Sequence, residues 1–490
     1  MNKIPLNMCT SELQNLKIKA MKPLKSIFTT LLIILCISIS PLIRANVTIP
    51  AIFSDHMVLQ QRTLVTLWGW GKPGETVSVT GSWDPDTTYT TRVPNHSVWS
   101  MEIRTPEAGG PYELVIRGYN TIGISDVLIG EVWLGSGQSN MEWTASSGID
   151  NQQEEIAAAD YPEIRFFQVN TTIATCPQQL VEGHWVVCTP ETMAAFSAVL
   201  YFFGRDLHRE LDVPVGLISS AWGGTPVEIW MPEAMIRGDR LLEMNAGFLK
   251  PVPWGPVEPG VAYNAMIHPL IPYRIKGALW YQGEANVDFP QRYARALSTL
   301  IGSWRAAWGN TFPFYYVQIA PWAGYGNDNV KGAVLRDQQR LIMERTPQTG
   351  MVVVSDIGDL NNIHPRNKLD VGKRLAAWAL HNDYGFSDLP YSGPLPQSAA
   401  FGSETVTIRF DHAEGGLVAR DGVLKEFEVL DPEGNWISAD ARIAGNSVEV
   451  DVPIPRPEGV RYGYRNDSQP TLFNAAGLPA SCFEWLNPKD

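Results

Sequence analysis

Between residues 126 and 390 short apolar runs alternate with segments of helical spacing, and no other feature of the chain restricts its fold as strongly. "EVWLGSG", "IRFFQV", "VGLISSAWGG", "IKGALWYQGE", "FYYVQIAPW" and "MVVVSDIGD" read as strands. "ETMAAFSAVLYFFGRDLHREL", "YARALSTLIGSWRAAWG", "VKGAVLRDQQRLIMERT" and "LDVGKRLAAWALHN" read as helices. Strands that apolar need cover on both faces, and alternating βα units supply it as a parallel sheet sandwiched by helices. The flanks differ in texture. Residues 46–125 hold short alternating segments such as "TLVTLWGW" and "TVSVTG" between "KPGE", "DPD" and "AGG" turns. Residues 391–490 hold "ETVTIRF", "EFEVLD" and "SVEVDVPI". Both read as β-rich, sandwich-like modules around an α/β domain.

In an open α/β sheet, ligands bind beyond the carboxyl ends of the strands. Here four such ends carry Ser139 in "GSGQSN", Gly223 and Gly224 in "SSAWGGT", Gln282 and Asn286 in "YQGEAN", and His364 in "DIGDLNNIHPRNK". A serine after a strand commonly caps a helix. An acyl-transfer nucleophile instead needs an exposed hydroxyl, a base and oxyanion donors, and all have candidates in these segments, so Ser139 is read as the nucleophile. Of eight histidines, His364 is the one in a polar loop directly after an expected core strand, and Pro365 biases it away from helix. Gly223 and Gly224 can serve a turn, and a glycine also lets a backbone N–H reach an oxyanion unobstructed. Gln282 and Asn286 are neutral amides able to donate to the same oxygen. Glu284 between them is read as a buried network carboxylate rather than a catalytic acid.

Lys22 and Lys25 precede the apolar run "IFTTLLIILCISIS", and Ala45 follows shortly after, which is the pattern of a secretory signal over residues 1–45, with Met21 as the more natural start. The run is shorter than the roughly 20 residues that a membrane span needs. Without that segment, which holds six basic residues and one acidic, 32 Lys+Arg stand against 50 Asp+Glu, a net charge of -18. Such a charge argues against nucleic acid or anionic membrane surfaces as partners. Export would put Cys176 and Cys188 where a bridge can form, leaving Cys482 free. The motifs of structural zinc, zincins, P-loop enzymes and dinucleotide enzymes are missing, and no metal or cofactor is expected.

Taken together, "FSDHMVLQQ", "GQSNMEW", "SSAWGGTPVEIW", "YNAMIHPL", "WYQGEAN", "IHPRNKLDVGKRLA" and "FNAAGLPASCF" resemble, in order, the sialate O-acetylesterase family of SGNH hydrolases. The resemblance implies a flavodoxin-like core and hydrolysis of acetyl esters on sugars, sialic acids first among them. It places the nucleophile on Ser139, the base on His364, and oxyanion donors on the backbone of Ser139, on Gly223 or Gly224, and on a side chain for which Gln282 is preferred over Asn286. SGNH enzymes commonly carry an Asp three residues before the histidine, but Asn361 stands there. Asp359 is the preferred third member, with Asp356 or a backbone carbonyl as alternatives. Arg366, forked and close to the base, is the candidate for a sialic acid carboxylate. An acetylxylan-type esterase is the alternative within the fold. A glycosidase using Glu284 and Asp359 would leave Ser139 and His364 without roles. A sugar-binding protein with an inactive core is the remaining alternative, suggested by 17 Trp.

Overall fold

One long strand organises the molecule. In the computed structural model, which describes residues 46–488, β1 (Thr121–Gly137) is followed by α1 (Ser139–Glu142), β2 (Tyr161–Gln168), β3 (Trp185–Cys188), α2 (Ala198–Leu211) and β4 (Val215–Ala221). Then come β5 (Gly277–Tyr281), α3 (Tyr293–Trp308), β6 (Phe314–Val317), α4 (Lys331–Arg345), β7 (Thr349–Val352) and α5 (Leu369–Asp383). The expected signal segment, 1–45, lies outside the described residues. Among those residues, no helix is long and apolar enough to cross a membrane.

The sheet order is β7-β6-β5-β1-β4-β2-β3, with every neighbouring pair parallel except β2 and β3. Without β2 and β3 the order is that of a flavodoxin-like sheet, whose ligands bind at the carboxyl ends of β1 and its neighbour β5. Helices α2 and α5 cover one face through Phe203, Leu207, Leu375 and Ala379. Helix α3 covers the other through Leu297, Leu300 and Trp304, packed with Trp280. Strand β5 shows why an apolar run is required: Ala278 and Trp280 enter one core while Leu279 and Tyr281 enter the other.

The burial pattern of β1 changes along its length for the same reason. Residues up to Asp126 alternate while pairing antiparallel with Gly109–Arg117, and Val127 to Gly137 are all buried as the strand enters the central sheet. The expected boundary between residues 125 and 126 therefore falls inside a single strand. Beyond the core, Leu395–Phe401, Thr405–Asp411, Ser447–Asp451 and Ala441–Ala444 form a separate antiparallel sheet. Its interior is built on Val406, Ile408, Val448 and Val450.

The expected Cys176–Cys188 bridge is not formed; both thiols are free, as is Cys482. Strand β3 pairs with β2 and holds Cys188 inside the core, where its Sγ faces the Ala159 carbonyl and burial pushes the thiol up to about 12. Cys176 lies in an exposed segment. Alkylation of the native protein followed by peptide mapping is expected to label Cys176 and leave Cys188 and Cys482 unlabelled. Labelling of Cys188 at a comparable rate would contradict this placement.

Candidate active site

Strand β1 ends at the crevice with Gly137, whose φ of 136° and whose closeness to Tyr281, 2.2 Å from an added Cβ to the carbonyl oxygen, admit only glycine. Two backbone bonds then bind the neighbouring loops together, Gln138 N–H donating to Tyr281 and Trp222 N–H to Gly137, while Met141 N–H closes the serine turn by donating to Gln138. Gln138, not Ser139, is the N-cap of α1, and it makes no side-chain cap bond. The Ser139 hydroxyl is thereby left for another partner. It lies 2.8 Å from Nε2 of His364.

His364 is held by the loop that follows β7. Its N–H donates to the Asn362 side chain at 3.0 Å, and its ring stacks on Trp143 with centroids 4.4 Å apart at 22°. Burial, with the Lys368 charge adding to it, lowers its pKa below the usual histidine value. The carboxylates expected to orient it are engaged elsewhere. Asp359 is exposed and accepts from the Asn361 N–H at 2.9 Å, the ordinary use of an aspartate in its own turn, so it is not bonded to the ring. Asp356 is bound by both ends of the Arg374 guanidinium at 2.7 and 2.8 Å. Among the described residues no carboxylate or carbonyl is bonded to Nδ1, and the ring is held by the stacked Trp143 and by the Ser139 hydroxyl at Nε2.

Beneath the pair runs a buried network that sequence reasoning did not foresee beyond Glu284. Lys368 Nζ donates to Asn140 Oδ1 at 2.6 Å; Asn140 Nδ2 donates to Glu284 Oε1 at 2.7 Å and to the Ile363 carbonyl at 3.0 Å. Asn140 so ties the serine turn to the histidine loop. Burial lowers Lys368 to about 7, with Glu284 pulling the other way, and burial raises Glu284. Lys368 follows the HPRN stretch and looks like an ordinary helix-start lysine, so only its burial identifies it.

The expected oxyanion side chains are corrected. Gln282 is fully buried; its Nε2 donates to the Thr225 carbonyl at 3.1 Å and to Asn286 Oδ1 at 2.8 Å, and its Oε1 accepts from the Tyr293 hydroxyl. Asn286 donates to Glu228 at 2.9 Å and accepts from the Val227 N–H. Both amides are committed to holding the β5 end against the 225–228 turn, and neither lines the cleft. Gln138 does line it, beside Ser139. Its Oε1 accepts from the Ala285 N–H at 3.1 Å, and its Nε2 has no acceptor among the described residues. Gly223 is the glycine of the pair that faces the serine, since an added Cβ would sit 3.3 Å from Ser139 Cβ; its N–H donates to Glu142 Oε2 at 2.7 Å. Gly224, at φ 70°, instead seats the Trp254 indole, 2.3 Å from an added Cβ.

Ser139 and His364 open into a cleft of about 1050 Å³, walled by Trp222, Trp254, Phe248 and Phe289. Trp254 is 62% exposed, and its carbonyl accepts from Trp222 Nε1 at 3.1 Å. Arg366 is not part of this wall. Its guanidinium donates to the Ile149 carbonyl at 2.8 Å and lies 3.6 Å from Asp150, which turns it away from the site. The cations that do line the cleft are Lys250 and Lys331, the latter 3.3 Å from Asp288.

Residues 129–381, which include Ser139 and His364, match a family model described as carbohydrate esterase, sialic acid-specific acetylesterase. The chain is 31% identical over 479 residues to the sialate O-acetylesterase of Rattus norvegicus, covering 84% of this chain and 88% of that protein. It is 33% identical over 385 residues to the Homo sapiens sialate O-acetylesterase, covering 70% and 72%. A crystal structure of a carbohydrate acetylesterase from Xanthomonas citri superposes with a TM-score of 0.82 at 33% identity, covering 89% of this chain and 99% of that one.

Proposed function

The chain belongs to the sialic acid-specific acetylesterase family of carbohydrate esterases, and on that footing we propose that it removes O-acetyl groups from sialic acids through an acetyl-Ser139 intermediate. The observation that carries the serine reading is the 2.8 Å contact between a hydroxyl free of capping duty and the imidazole of His364. His364 Nε2 takes the Ser139 proton as Oγ attacks the acetyl carbonyl. The negative charge that develops on the carbonyl oxygen falls to the N–H groups of Ser139 and Gly223 and to the Gln138 amide, which replaces Gln282 in this role. Collapse of the tetrahedral species breaks the bond to the sugar oxygen, and His364 returns the proton to it. Water, deprotonated by the same imidazole, then releases acetate.

The lowered pKa of His364 keeps it neutral, as a base must be, down to a pH below the usual imidazole value. The aromatic wall suits a sugar ring, and Lys250 supplies the cationic contact for a sugar carboxylate that Arg366 does not. The Lys-rich start and apolar run of residues 22–40 support action after export from the cytoplasm. Acetate release from 9-O-acetylated sialic acid is expected to exceed release from acetylated xylan by at least tenfold in kcat/KM, since a charged contact has no counterpart on xylan. Equal rates would favour the acetylxylan-type reading.

A further inference from the structure

Glu142 sits where its charge is hard to explain by stability. Its carboxylate lines the cleft beside Ser139, is half-buried, and has the Gly223 N–H as its hydrogen-bond donor. That N–H is one of the groups to which the reading above assigns the oxyanion. The bond is charge-assisted and short, 2.7 Å. A neutral ester carbonyl is the weaker acceptor of the two, so it does not displace the carboxylate unaided. Neither does Glu142 orient the base, since no bond joins it to the His364 ring.

We propose that Glu142 is a specificity residue whose carboxylate holds the Gly223 N–H until a hydroxyl of the leaving sugar draws it away. The inference rests on the acetyl-serine reading. The backbone of Glu142 is fixed, its N–H donating to the Gln138 carbonyl at 3.0 Å, so only the side chain has to swing. A sugar ester carries hydroxyls next to the ester oxygen, and one of them donates to the freed carboxylate as the ester carbonyl takes the Gly223 N–H. The exchange then replaces one charged hydrogen bond by another. An ester whose alcohol has no further hydroxyl breaks the Glu142–Gly223 bond and leaves the carboxylate without a donor. Esters of polyols are thus favoured by a group that is unfavourable to all others, which is discrimination by penalty rather than by added affinity.

The test compares kcat/KM of the full-length protein on p-nitrophenyl acetate, whose alcohol bears no second hydroxyl, and on an O-acetylated sugar. Glu142→Ala frees Gly223 and removes the sugar contact. It is expected to raise the rate on p-nitrophenyl acetate and lower it on the sugar ester, so that the sugar-to-aryl ratio falls tenfold or more. A ratio that falls by less than tenfold, including equal losses on both substrates, overturns the proposal. Glu142→Gln keeps the shape and an amide acceptor, and it serves if the alanine variant does not fold: the ratio should fall in the same direction, and an unchanged ratio overturns the inference. Failure of the underlying reading shows separately, as activity retained by Ser139→Ala.

Discussion

Ser139→Ala is expected to lower turnover of an O-acetylated sugar by about 10⁴-fold or more while leaving the fold intact. The size follows from what the hydroxyl does and does not do. It caps no helix, because Gln138 occupies that position, and its bond is to His364. Removing it should change unfolding free energy by no more than about 0.5 kcal/mol, the range of substitutions that leave neither a cavity nor an unpaired buried group. If Ser139 is the nucleophile, as proposed, its loss removes the acetyl-enzyme, and what remains is the catalysis that binding and oxyanion donors give to direct attack by water. His364→Ala should lose a similar factor. The double variant should be no worse than either single one, since the two residues act as a unit. Activity within tenfold of the parent in Ser139→Ala would end the assignment.

Lys368→Met is expected to destabilise the protein by about 3–5 kcal/mol, the usual consequence of removing one member of a buried charged network. Lys368 is fully buried, and its loss leaves Asn140 Oδ1 without a donor and Glu284 without the cation that offsets it. The second consequence is catalytic. The Lys368 charge contributes to the lowered pKa of His364, after burial, so removing it should raise that pKa. In the parent the lowered pKa keeps the imidazole neutral to a more acidic pH than an ordinary histidine, so on the proposed mechanism activity is expected to fall only as pH drops through that lowered value. In the variant the same loss should set in at a higher pH. Chemical denaturation and the acid limb of kcat/KM measure the two effects, and Lys368→Met combined with Glu284→Gln should recover part of the stability because neither charge is then buried. Parent-like stability together with an unmoved acid limb would show that the network is inert.

The strand ends were legible because their chemistry is conspicuous: a serine, paired glycines and a histidine each follow a run of apolar residues too long to be surface. Ser139, His364 and Gly223 do converge on one cleft. The oxyanion amide is not legible in the same way: Gln282 is expected at the cleft, and Gln138 lines it instead. Gln138 and Gln282 each follow directly on the end of a strand of the same sheet, in matching register, Gly137 pairing with Tyr281, so pattern along the strands does not separate them. Which amide meets the cleft depends on where each chain leaves the sheet, and neighbouring letters do not encode that. Asp359 and Arg366 are close to His364 in sequence, yet each is engaged elsewhere, Asp359 by the Asn361 N–H of its own turn and Arg366 by the Ile149 carbonyl of a distant segment.

Local pattern, then, determined the class of the fold and the segments that carry chemistry, because apolar periodicity reports burial residue by residue and needs no partner to be read. Only the tertiary structure decided pairings between distant segments. Ser139 and His364 are 225 residues apart, Asn140 and Lys368 228, and Glu142 and Gly223 81. Each pairing is a distance of a few ångströms set by how β1, β4, β5 and β7 register in the sheet and by the turns that carry the chain away from their carboxyl ends. The same register withdraws Cys188 from Cys176 and buries a lysine that composition alone would leave in water.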